Sequence, residues 1–175
     1  MSPEYHHFCD SRHVIDRLRH AYAIITTPHL TSICSAASFT AVFGPEAYPS
    51  SLLVTEQTLT ANERAINEAA RLMQAELYGP KSAHSFISFL NHPYTQGALF
   101  LSEIHVPRQQ SIAHVTAIVP SEIRTAGQIE PVNFYAVDTG NLPFLYQTNV
   151  EGALDMFAHA QACFIVTRSI IPQPF

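Results

Sequence analysis

In the first half of the chain apolar residues return at helical spacing. In the second half they gather into short β-prone runs separated by turn residues. Val14, Ile15, Leu18, Ala21 and Tyr22 follow the i, i+3, i+4, i+7 rule, so residues 12–23 are expected to form a helix capped by Asp10 or Ser11. Residues 24–30 read as a connection. Thr31 and Ser32 then stand where a helix cap belongs, small helix-compatible residues follow, and Gly44-Pro45 stops the run. The stretch predicts a helix of about three turns with Cys34 in its first turn. Residues 45–58, with two prolines and several hydroxyl side chains, read as a surface loop. Thr60-Ala61-Asn62-Glu63 has the form of a capping box and predicts a helix to residue 78. Its buried stripe is Ile66, Ala69, Ala70, Met73 and Leu77, and Gly79-Pro80 is its stop. Ser82 is placed to cap a further short helix through Leu90.

From residue 97 the pattern changes. Residues 98–106, 112–119, 132–137, 143–147 and 163–171 read as strands, with a polar loop at 121–131. Asp138-Thr139-Gly140-Asn141 is a turn signal closing the third strand, and Asn149 is placed to cap a helix over 150–162. Helices grouped before strands argue for an α+β fold, N-terminal helices packed on a mostly antiparallel sheet, rather than alternating βαβ units. The 175 residues are expected to make one domain, residues 1–175, without internal repeats.

Composition narrows the function classes. The chain is 47% apolar and 13% charged with a net charge of −5, and its 9 Lys and Arg are scattered, which argues against nucleic acid as a partner. Cys9, Cys34 and Cys163 form neither a disulfide framework nor metal knuckles, so a reducing, cytosolic site of action is expected. His6, His7, Cys9 and His13 resemble a metal cluster only superficially. Adjacent His residues at a chain end are usually solvated, and in a chain with 10 His such groupings arise by chance, so neither a metal nor a cofactor is expected. No apolar run is long enough to span a membrane, and no signal peptide is recognisable; a chain secreted through a signal-independent machine would look the same.

Cys34 is the residue around which chemistry gathers. A thiol in the first turn of a helix feels the positive end of the dipole and unpaired backbone N–H groups, both of which favour the thiolate nucleophile. Such a nucleophile needs a base, and the base an orienting acceptor. His114 lies on a predicted strand and Asp138 closes the next, so neighbouring strands would bring them together; His105 is the rival base. Taken singly, each has a bland reading: Cys34 as core packing, His114 as a core histidine, Asp138 as a turn residue. Val137-Asp138-Thr139-Gly140 also looks like the Asp-Thr-Gly of aspartic proteases, but those need two carboxylates sharing a proton and this chain has one such motif.

An early-helix Cys, a His opening the apolar strand His114-Val115-Thr116-Ala117-Ile118-Val119, and the aromatic-rich strand Phe134-Tyr135-Ala136-Val137-Asp138 followed by Gly140 and Phe144 together resemble papain-like cysteine enzymes. The likeness is nearest to the small bacterial effector branch, which includes YopT- and AvrPphB-like proteases and OspI-like glutamine deamidases. It covers roughly residues 25–147 and rests on short motifs. Two departures stand out. The family often has Asp-Pro-Asn where this chain has Asp138-Thr139-Gly140, and it often has a polar side chain shortly before the Cys to bind the oxyanion. The candidates for that role here are His29, Thr31 and Ser32, with the Cys34 backbone N–H as one donor in any case. The resemblance implies a papain-like fold, a Cys34–His114–Asp138 triad, and hydrolysis of an amide in a protein substrate of a host cell, by deamidation or proteolysis. Acyl transfer through the same thioester is an alternative. A non-catalytic interaction domain with a structural cysteine is the rival from another class.

Overall fold

The computed structural model describes residues 11–27, 33–92, 94–105, 107–108, 111–121 and 133–168, with the side chains of residues 11–13 left out. The elements in chain order are α1 (Ser11–Ile25), α2 (Ile33–Phe43), a short 3-10 turn (Pro45–Ala47), α3 (Tyr48–Ser51), α4 (Leu59–Met73), β1 (Glu76–Tyr78), α5 (Ala83–Leu90), β2 (Thr95–Ile104), β3 (Ile112–Pro120), β4 (Phe134–Val137), β5 (Leu145–Thr148), α6 (Val150–His159) and β6 (Ala162–Thr167). The fold is α+β. Its six strands form one sheet in the order β1-β6-β2-β3-β4-β5, and every neighbouring pair is antiparallel.

Both faces of the sheet are covered. Leu99, Leu101, Val115, Ala117, Val119, Val137 and Val166 pack with α1, α2 and α4 in one core. The alternate residues Ala98, Phe100, Ile118, Phe134, Ala136, Cys163 and Ile165 pack with α5 and α6 in the other. This is why β2 and β3 read as nearly continuous apolar runs: a strand buried on both sides has no solvent face to mark with polar residues. Fully buried Phe39, Phe86, Phe100 and Phe134 divide between the two cores, each contributing about 1.5–3 kcal/mol of burial.

The segment expected to be a surface loop, 45–58, is partly helical, and Ala47, Ser50, Ser51 and Val54 are buried. Gly44, at φ 109, breaks α2 and lets Pro45 begin a new turn. Helix α4 also departs from expectation. Its cap is Thr58, whose hydroxyl accepts from the Ala61 N–H at 3.1 Å, and it ends at Met73, not at residue 78. Gln74 takes the left-handed conformation (φ 54), its N–H bonds to Arg71 O, and the Ala75 N–H reaches Ala70 O at 2.9 Å. This is a Schellman ending built without glycine. Leu77, assigned to the helix stripe, instead lies on β1 opposite Val166. Ser82 and Asn149 cap α5 and α6 as expected.

Strand β4 pairs with β3 only over Ala117 to Pro120. The backbone of β3 ahead of Ala117 therefore has no strand on that side, and other groups fill the gap. The Ala113 N–H donates to Gln57 O at 2.9 Å, and the buried Ser38 hydroxyl of α2 donates to Val115 O at 3.1 Å. These bonds seat the first turns of α2 against β3.

Gly97 sits at an irregularity in the β2–β6 pairing, where an added Cβ would come 2.5 Å from Ile118 O and 3.1 Å from Val119 Cγ1. Gly97→Ala is expected to lower stability by about 1–3 kcal/mol through overpacking. The check is a lower urea midpoint at unchanged m-value.

Candidate functional site

The three residues singled out in the sequence meet at the uncovered part of β3. Cys34 is the second residue of α2 and is partly buried. The His114 side chain and the Val115 backbone N–H both act on its sulfur, while Ser38, one turn on, donates to the Val115 C=O. His114 Nε2 bonds to Asp138 Oδ1 at 2.8 Å. That leaves Nδ1 as the ring nitrogen facing the sulfur. Asp138 lies one residue beyond the Val137–Ala117 pair, so strand alternation turns its side chain to the His114 face.

The turn after β4 fixes the carboxylate. Asp138 Oδ1 accepts from the Gly140 N–H at 2.9 Å as well as from His114, and the Asp138 N–H bonds to Phe144 O at 2.8 Å. A Cβ at Gly140 would lie 3.3 Å from Oδ1 and 3.4 Å from His114 Nε2. The Asp-Thr-Gly sequence therefore serves as an Asx-type turn that presents a carboxylate to an imidazole, with glycine making room for the ring.

Charge follows from this geometry. Burial pushes the Cys34 thiol up, but hydrogen bonds from His114 and the Val115 N–H, the His114 charge and the Ser35 hydroxyl together hold it below its usual 9.0. The bond to Asp138, then the bond to Cys34, raise His114 to about 9 against the opposing effect of burial. The same bond from His114 holds Asp138 below the usual carboxylate range. Each group therefore favours the charged form of the other, thiolate beside imidazolium. Cys163, buried in the second core with no such partners, is pushed up to about 12.

A fourth side chain, absent from the sequence reading, completes the site. Gln57 Nε2 lies 2.9 Å from Cys34 Sγ and 3.0 Å from Ser35 Oγ. Its orientation follows from a buried chain of bonds. Asn62 Nδ2 donates to Thr58 O at 2.8 Å, which can only accept. Asn62 Oδ1 must then face Ser35, whose hydroxyl donates to it at 2.6 Å. Ser35 has lone pairs left for a donor, so the Gln57 NH2 turns inward and places a hydrogen at the sulfur. Gln57 is anchored from behind by its own carbonyl, which accepts from Ala113. No spacing in the sequence pointed to it, since it stands in the stretch read as a loop.

The remaining candidates fall away from this centre. His105 is exposed just past β2, and the imidazole on the sulfur is that of His114. His29, Thr31, Ser32, His6, His7 and Cys9 lie outside the described residues, as does the side chain of His13. Among the described residues no group of three or more His, Cys, Asp or Glu could hold a metal ion, and no helix is long and apolar enough to cross a membrane. Searches for similarity find no matching family model, curated protein or solved structure.

Two outcomes are expected. Iodoacetamide at pH 6.5 should alkylate Cys34 at least about tenfold faster than Cys163, read by peptide mass spectrometry, and His114→Ala should remove most of that advantage. Gln57→Glu, which sets a carboxylate where an N–H now donates, should shift the pH profile of Cys34 alkylation upward. An unmoved profile would mean that Gln57 is not a donor to the sulfur.

Proposed function

We propose that the chain is a papain-like, cysteine-dependent amide hydrolase acting on a protein substrate, as a glutamine deamidase or a cysteine protease. The observation that carries the proposal is the unbroken line from sulfur to imidazole to carboxylate, with the Gln57 N–H beside the sulfur.

The Cys34 thiolate attacks the amide carbon, forming a C–S bond and placing negative charge on the carbonyl oxygen. The Gln57 N–H beside the sulfur and the backbone N–H of Cys34, in the first turn of α2, are the donors that would meet that charge. The imidazolium of His114 gives its proton to the leaving nitrogen as the C–N bond breaks, leaving a thioester. The neutral ring then takes a proton from water, which attacks the thioester, and the acid and the thiolate are regenerated. Asp138 holds the ring through Nε2 throughout, so Nδ1 always faces the reacting atoms. A glutamine side chain in this sequence loses ammonia, and a peptide bond loses an amine. An amine in place of water gives acyl transfer. The likeness to the bacterial effector branch extends the proposal to a protein of a host cell, reached in the cytosol.

Incubation with a host-cell protein extract, followed by mass spectrometry for Gln-to-Glu conversion and for new termini, separates deamidation from cleavage. Cys34→Ala should abolish either product, and His114→Ala should lower the rate by about 10²–10⁴-fold. No Cys34-dependent product in such extracts would leave the interaction-domain reading in its place. The pH profile has a definite sign. Activity should rise from acid as Cys34 ionises below its usual 9.0, and fall as pH rises through about 9, where His114 loses the proton required by the leaving group.

A further inference from the structure

At the other edge of the sheet lies a cavity of about 250 Å³ walled by Glu76, Tyr78, Phe89, His92, Tyr94 and Thr167. We propose that it is a binding site for a small organic cation, an alkylated ammonium group, held among aromatic rings beside one carboxylate. The site shares no residue with the Cys34 centre and stands apart from the proposed hydrolysis. Strand β1 is three places from β3 in the sheet, about 14 Å away.

The pocket follows from the topology. Glu76 and Tyr78 are alternate residues of β1 and face the same side; they pair with Thr167 and Ile165, and Ile165 belongs to the core under α5 and α6. Phe89, near the end of α5, therefore stacks on Tyr78, with centroids 4.6 Å apart and planes 19° apart. The chain returning from α5 to β2 adds His92 and Tyr94, whose centroids are 5.0 Å apart. This return is tied down. Thr95 Oγ1 donates to Phe89 O at 2.6 Å, the Thr95 N–H donates to His92 O at 3.1 Å, and Tyr94 O accepts from the Arg168 N–H at 3.1 Å. The rings are held in place before any ligand arrives, which lowers the entropic cost of binding.

The lining selects for positive charge. Aromatic faces carry negative potential, and Glu76 adds a full charge while accepting the Tyr78 hydroxyl proton at 2.7 Å. His92 Nδ1 accepts from the Tyr94 N–H at 3.2 Å, which fixes the ring beside Tyr94. Among the described residues no Lys or Arg lines the cavity, so no ammonium or guanidinium there pairs with a phosphate or carboxylate. The volume suits a methylated ammonium head.

The test is a pair of probes that differ only in charge, choline and its neutral carbon isostere 3,3-dimethylbutan-1-ol, titrated into the full chain and followed by NMR. Choline should shift the resonances of Tyr78, Phe89 and Tyr94 and bind roughly tenfold more tightly than the isostere. Glu76→Gln, a change at an exposed side chain, should remove most of that preference, and Tyr78→Leu should weaken choline binding in a chain whose thermal unfolding remains cooperative. A peptide carrying trimethyllysine that binds more tightly than choline would assign the cation to a protein side chain, and the reverse to a free small molecule. Equal binding of the two probes, shifts elsewhere than at the pocket, no binding of choline, or full retention of the charge preference in Glu76→Gln would overturn the proposal. None of these readouts depends on Cys34, so failure here and failure of the hydrolase reading are distinguishable.

Discussion

The seating of α2 on the uncovered length of β3 is the constraint on which the site depends. Antiparallel strands satisfy one another's backbone groups, and a strand whose partner is too short leaves some of them open. Here β4 ends its pairing at Ala117, and open groups of Ala113 and Val115 are taken up by Gln57 O and Ser38 Oγ, while the Val115 N–H acts on the sulfur of Cys34. A helix that met only the apolar face of the sheet would have placed its first turn over the core. Because it bonds to the strand edge, its first turn comes level with His114.

Once that contact exists, the electrostatics follow. A half-buried thiol would ordinarily resist ionisation, and a half-buried imidazole would resist protonation. Each group removes the other's penalty, and Asp138 adds to the effect on the ring from the far nitrogen. Cys163 shows the alternative. It is buried beside the same sheet, lacks an imidazole, and stays a thiol well past neutral pH. The contrast separates a cysteine paired with an imidazole from one that only packs.

Much of this arrangement was legible in the residues, because it rests on local signals. Cys34 between a capping pair and Gly44-Pro45, the β-prone run from Ile112, and Asp138 before Thr139-Gly140 are each short-range patterns, and their elements lie close to where those patterns put them. What escaped was set by contacts between distant residues. Helix α4 ends at Met73 because Gln74, a residue without the usual preference for it, takes left-handed geometry, and the sequence Glu76-Leu77-Tyr78 pairs as a strand only because β6 offers an edge. Gln57 was hidden for the same reason: its role comes from the Asn62–Ser35 bonds, which fix the direction of its amide, and no periodicity records them.

The central claim is that Cys34 and His114 share one charge-paired unit. Its most direct test is an NMR titration of the His114 ring, in the native chain and in Cys34→Ala. The account predicts that the native ring holds its proton up to about pH 9 and that its midpoint falls when the sulfur is removed. A ring that titrates near its ordinary 6.5 in both chains would contradict it.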